Sequence, residues 1–93
     1  MKSVLQKNKE CYYCGTTQCL EEHHVFFGHK CRSVSEEYGM KIWLCNHHHT
    51  GGGESVHKNR KVDLAYKAIA QKQFEETMGS RDDFIRLFGK SYL

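Results

Sequence analysis

Apolar and polar positions along this chain fall into short blocks with different rhythms. Residues 1–10 are polar and basic and predict a loose arm. The run Leu20-Glu21-Glu22-His23-His24-Val25-Phe26-Phe27 is compatible with a short strand, which Gly28 breaks. Ser35 followed by Glu36, Glu37 and Gly39 predicts a one-turn helix, with Ser35 as N-cap and Gly39 as the stop. Met40-Lys41-Ile42-Trp43-Leu44 has strand propensity and runs straight into Cys45. Thr50-Gly51-Gly52-Gly53-Glu54 predicts a loop, because consecutive glycines disfavour regular structure. A long helix follows, starting at Ser55 or Asn59 and ending at Met78, with Val62, Ala65 and Ile69 expected on its core face and Leu64 and Ala68 beside them. Ser80 with Asp83 predicts a capping box for a last short helix that Gly89 ends. Phe84, Phe88 and Tyr92 are expected to pack on the long helix, and Trp43 to join the core.

This succession of strand, turn, strand, loop and helices is an α+β pattern in one domain over residues 11–93, behind the arm of residues 1–10. The chain has 93 residues, 39% of them hydrophobic, enough for one modest core. Chains of this size often need a disulfide, a metal or a partner for stability. No apolar run approaches the length of about 18 residues that a membrane span needs. The opening MKSVLQKNKE is too polar for a secretion signal. A cytoplasmic protein with no membrane partner is therefore expected. Lys and Arg number 14 against 11 Asp and Glu, a net charge of +3 that permits nucleic-acid binding without requiring it.

The five cysteines change the picture more than the charge does. An odd number cannot pair fully within one chain, and a reducing compartment disfavours disulfides. Cys11-Tyr12-Tyr13-Cys14-Gly15 is a CxxCG turn, and Cys45-Asn46-His47-His48 offers a CxxH pair with the same gap. Together Cys11, Cys14, Cys45 and His48 supply the four sulfur and nitrogen donors of a tetrahedral structural zinc site. A buried or redox-active cysteine pair is the competing reading of the first turn. Cys19 and Cys31 lack partners at ligand spacing and are expected as small buried side chains, with Cys19 a possible substitute ligand in the first turn.

Several histidines then remain. His23, His24, His49 and His57 are candidates for a second cluster. Phosphodiester hydrolysis needs a base for water and a cation for the phosphate and the leaving oxygen. A histidine titrates near neutrality and suits the base. The others suit a divalent metal: Zn or Ni by affinity for imidazole, Mg or Mn through phosphate and water oxygens.

Taken together, Cys11-x2-Cys14, Glu22-His23-His24-Val25, Leu44-Cys45-x2-His48-His49 and His57 resemble a phage-type HNH endonuclease. The resemblance covers residues 11–60 directly and, less specifically, the tail from Ala70 through Tyr92 within the helical extension of residues 61–93. It implies a small ββα-metal, treble-clef-like fold held by structural zinc, with C-terminal helices. It also implies metal-dependent cleavage of DNA by a phage-encoded enzyme. By position, His24 becomes the general base, and His23, His49 and His57 become catalytic-metal ligands. Phage packaging or recombination proteins are the implied partners. Cutting both strands at once would need two active sites and hence a dimer. The chain departs from the family pattern in two respects. Seven residues, Thr50 through Val56, separate His49 from His57, and no Asn lies between His24 and Leu44. Asn46 and Asn59 are both open for that middle position. Lys58, Arg60 and Lys61 at the start of the long helix, with Lys30 and Arg32 after the first strand, are the candidate phosphate contacts. The rival class is a non-catalytic zinc module that binds nucleic acid or protein. It keeps the Cys-rich site and treats the remaining histidines as incidental.

Overall fold

A two-stranded antiparallel sheet carries the candidate residues. The computed structural model describes residues 2–93. Strand β1, Leu20–His24, pairs with β2, Lys41–Cys45, in the register Leu20↔Cys45, Glu22↔Trp43, His23↔Ile42 and His24↔Lys41. Side chains alternate across a strand, so Glu21 and His23 share a face with Ile42 and Leu44. That face meets the core, where Ile42, Leu44 and His23 are buried. Glu22, His24, Lys41 and Trp43 share the opposite face. Trp43 is accordingly half-buried there rather than in the core.

The strands are joined by helix α1, Cys31–Tyr38. It is a turn longer than the sequence pattern predicts, and Ser35 sits inside it rather than capping it. The Ser35 hydroxyl is buried; it accepts from the Phe26 N–H at 3.1 Å and donates to the Phe26 carbonyl at 2.6 Å. A residue that reads as a helix cap thus serves the backbone just beyond β1. Gly39 ends the helix at φ 71°, and a Cβ there would collide with the Lys2 carbonyl.

That collision marks how closely the N-terminal segment is applied. Residues expected as a loose arm instead lie along the outer edge of β2. Val4 N–H donates to Gly39 at 2.9 Å, the Ser3 hydroxyl donates to the Lys41 carbonyl, and the Gln6 side chain accepts from Trp43 N–H at 2.9 Å. An exposed strand edge leaves backbone groups unpaired, and the polar side chains of this segment satisfy them.

The glycine loop expected at Thr50–Glu54 is regular only at its start, where His47–Gly51 form a π-helical turn closed by Gly52 N–H to His47 O at 2.8 Å, and Gly52, Gly53 and Glu54 stay irregular. Helix α2, Arg60–Thr77, begins at Asn59, whose side chain accepts from Lys61 and Val62 N–H at 3.0 and 3.3 Å. Its buried face is Asp63, Tyr66, Lys67, Ala70, Gln71 and Phe74. The predicted face is therefore rotated: Ile69 is 45% exposed and Leu64 is exposed too. Polar groups that satisfy one another caused the misreading. Asp63 and Lys67 form a buried ion pair at 3.0 Å, and Gln71 accepts from Tyr92 N–H at 2.6 Å and donates to Ser91 Oγ at 3.0 Å. Helix α3, Arg81–Phe88, has the expected Ser80–Asp83 capping box. Phe84 and Phe88 stack at 4.7 Å and pack on Phe74 and Phe26, and this aromatic group joins Val25, Met40, Val56, Tyr66 and Ala70 in the core. No helix among the described residues is long and apolar enough to cross a membrane.

Candidate metal centres

The π-turn after β2 places two adjacent histidines on two different clusters. Successive side chains diverge by about 100° around an α-helix and less in the wider π-turn. His48 thus turns toward the cysteines while His49 turns toward β1. A Cβ at Gly52 would meet the His47 ring at 2.5 Å, a contact that the exposed ring can relieve by turning away.

The first cluster joins Cys11, Cys14, Cys45 and His48, whose donor atoms all lie within 4.8 Å of one another. Cys14 Sγ lies 3.9 Å from Cys45 Sγ, and His48 Nδ1 lies 3.2 Å from Cys45 Sγ and 3.8 Å from Cys11 Sγ. An ideal tetrahedral zinc, with Zn–S of about 2.3 Å and Zn–N of about 2.0–2.1 Å, sets S···S edges of about 3.8 Å and S···N edges of about 3.6 Å. The group could therefore hold a structural metal such as zinc. Burial opposes ionisation of Cys11, but hydrogen bonds involving the Cys45, Cys14 and Tyr13 backbone outweigh it and bring the thiol down to about 6. A thiolate at neutral pH is the form that binds metal. The Tyr13 ring stacks on His48 at 4.2 Å and anchors itself by donating to Glu54 at 2.9 Å. Cys19 and Cys31 stand apart from this group. Cys31 is half-buried and donates to the Phe88 carbonyl at 3.6 Å. Cys19, expected to be buried, is exposed in a left-handed turn at φ 54°, where its carbonyl receives Asn46 N–H at 2.9 Å.

The second cluster joins His23, His49 and His57, with ring nitrogens again within 4.8 Å of one another. The intervening glycines and a turn fold His57 back, with His57 N–H donating to His49 O at 3.3 Å. The two Nε2 atoms then lie 3.2 Å apart, close to the edge of about 3.3 Å that a tetrahedral ion with Zn–N of about 2.0–2.1 Å sets between nitrogens. His49 Nδ1 meets Glu21 Oε1 at 2.6 Å. A carboxylate only accepts, so Nδ1 carries the proton and the Nε2 lone pair faces the cluster. His23 is 2% exposed, and its Nε2 has no protein partner. Burial, then the neighbouring His49 and His57 charges, pushes it down to about 3, so the ring stays neutral. A buried imidazole nitrogen without a partner costs desolvation energy, and a cation shared with His49 and His57 would satisfy it. Burial, then His49, also lowers His57.

His24 lies on the opposite strand face yet reaches the same cleft, an open space of about 500 Å³ that His23, His49 and His57 also line. Its Nε2 meets Glu36 Oε1 at 2.8 Å, and Glu36 also pairs with Lys41 at 2.7 Å. Lys41, then His24, holds Glu36 down at about 2. An ionised Glu36 accepts from Nε2–H and leaves Nδ1 as the basic nitrogen.

Compared with protein-family models, curated proteins and solved structures, the chain matches none.

The candidate phosphate contacts divide. Arg32 lines the cleft. Lys58 donates to Gly51 O at 3.4 Å beside it, Arg60 is paired with Asp63 at 2.9 Å, and Lys30 and Lys61 are exposed. Asn59 is occupied as the α2 cap, and Asn46 donates to Glu21 at 3.4 Å. Glu21 and Glu36 are the residues that sequence reasoning missed. Strand alternation puts Glu21 on the face of His23, a signal available in Glu21-x-His23. Glu36 gives no such signal, because only the fold brings α1 to His24.

Proposed function

We propose that this chain is a small metal-dependent DNA endonuclease of the HNH type, with a ββα-metal, treble-clef-like core. The observation that carries the reading is the contrast at one cleft. Three imidazoles converge there with a buried, unpartnered nitrogen among them. A fourth, His24, is held by a carboxylate with its other nitrogen left for chemistry.

In this reading β1, the π-turn and the turn before α2 would supply His23, His49 and His57 as ligands of a divalent ion, Mg, Mn, Ni or Zn. Such an ion would supply Lewis-acid stabilisation of charge on the phosphate and the leaving oxygen. His24 Nδ1 takes the proton from the attacking water. Glu36 fixes the ring by accepting from its Nε2–H, and Lys41 keeps Glu36 ionised. Glu21 fixes the tautomer of His49. Arg32 at the wall of the cleft, with Lys30, Lys58 and Lys61, meets flanking phosphates, so contact is salt-sensitive and directed at the backbone. Cys11, Cys14, Cys45 and His48 would hold a structural zinc that ties β2 to the N-terminal turn and supplies no chemistry to the reaction. A phage DNA-packaging or recombination role follows from the same reading.

Plasmid nicking with added Mg, Mn, Ni or Zn tests it, using wild type and His24→Ala. The expected result is metal-dependent nicking that His24→Ala removes while the protein still melts cooperatively. Equal nicking by both sinks the base assignment. No nicking with any metal favours the non-catalytic zinc module.

A further inference from the structure

A second and larger groove, about 760 Å³, runs between the N-terminal segment and the outer face of β2. Neither the zinc group nor the histidine cleft uses it. Lys2, Lys7, Lys9 and Lys41 line it around Trp43, and Glu22 is its one acidic residue. Lys41 is engaged by Glu36 and Glu22 at 2.7 and 3.5 Å. Lys2 and Lys7 have no ion-pair partner among the described residues. Lys9 holds its ammonium 4.5 Å from the Trp43 ring centre. The groove therefore has a surplus of cations without ion-pair partners among the described residues, around a half-buried aromatic ring. Glu22 also lines the histidine cleft, so the two spaces share a wall.

We propose that this groove binds single-stranded DNA and leads it to the histidine cleft; the second half of that statement rests on the nuclease reading above. Lysines fit the phosphates. The Trp43 ring fits an unpaired base, whose face is open for stacking. Duplex bases are already stacked on one another and offer no free face to a ring inside a groove. An acidic peptide would answer the lysines but not the ring. Lys9 now covers that ring through a cation–π contact at an exposed site, a weak interaction that a stacking base displaces, leaving the ammonium free to meet the next phosphate. The substrate class this implies is DNA with an unpaired segment beside the cleavage point.

Trp43 is the only tryptophan in the chain, so its fluorescence reports on the groove directly. The protein is titrated with a short oligothymidylate without added divalent metal. The expected result is saturable quenching that weakens as salt rises, and affinity lower by roughly tenfold in Lys7→Glu/Lys9→Glu. Both lysines are exposed, so the variant should keep its melting temperature and zinc content. Equal quenching by a blunt duplex or by polyglutamate, or unchanged affinity in the lysine variant, overturns the groove assignment. Nicking without quenching overturns the groove and leaves the nuclease reading intact. Quenching without nicking by any metal overturns the nuclease reading and leaves the groove as a single-strand binding site.

Discussion

His48 and His49 are neighbours in sequence, yet their surroundings differ in every respect that matters to a metal. His48 joins three sulfurs, and those four donors lie within 4.8 Å of one another, a set that could close around a metal. His49 joins two imidazoles, and its cluster opens on a cleft of about 500 Å³. Behind His48 stands an aromatic ring; behind His49 stands a carboxylate at 2.6 Å. A closed donor set with an apolar backing holds chain segments together. An open set with a carboxylate behind it leaves room for a reactant and fixes the tautomer and orientation of its ligand. The difference teaches that one turn of backbone can serve stability and chemistry at once, provided adjacent side chains diverge.

The strongest way to break this contrast is Cys11→Ser. We expect loss of tightly bound zinc and of cooperative melting, since structural zinc contributes roughly 10–16 kcal/mol in small domains. His49→Ala should keep both. Metal analysis and thermal melts of the two variants check the contrast, and zinc retained in Cys11→Ser would erase it. On the open side, His24→Ala should lower the nicking rate by about 10²–10⁴ while leaving the melt unchanged.

Acid should act on the open cluster through His23. Its folded value of about 3 lies below the unfolded value of 6.5. The unfolded chain therefore binds more protons between those values, and stability falls as pH drops from 6.5 toward 3. Melting midpoints at pH 7 and pH 4 should fall further in wild type than in His23→Gln; parallel curves would show that His23 is not held neutral by the fold. Smaller still is Glu21→Gln, expected to weaken metal at the open cluster by about 10–100-fold, read from the metal dependence of nicking or from calorimetry. The smallest expected effect is Asn59→Ala, a loss of about 0.5–2 kcal/mol of stability from the α2 cap. That loss should lower the thermal midpoint and leave zinc content unaltered.

Much of this layout is legible from local chemistry. The CxxC and CxxH spacings point to the closed group, because ligands with two residues between them in a turn converge without help from the rest of the fold. The Ser80–Asp83 box and the Gly39 stop are equally local. Ser35 misleads because its hydroxyl satisfies the Phe26 backbone from inside a helix. The face of α2 misleads because burial there goes to Asp63, Lys67 and Gln71, whose polarity is cancelled by partners on the same helix and in the C-terminal segment. The N-terminal segment reads as loose because its hydrogen-bond acceptor and donor sites belong to β2, far along the chain.

The sequence by itself determined the strand–helix–strand order, the four donors of the closed group and the list of histidines open to chemistry. Spacing and residue type act over a few residues and need no long-range information. Only the tertiary structure decided that His57 folds back onto His49, that Glu36 holds His24, and that lysines of the N-terminal segment surround Trp43. Each of these joins groups that no period or spacing relates. They meet because the sheet register, the π-turn and the packing of α1 bring their backbones together.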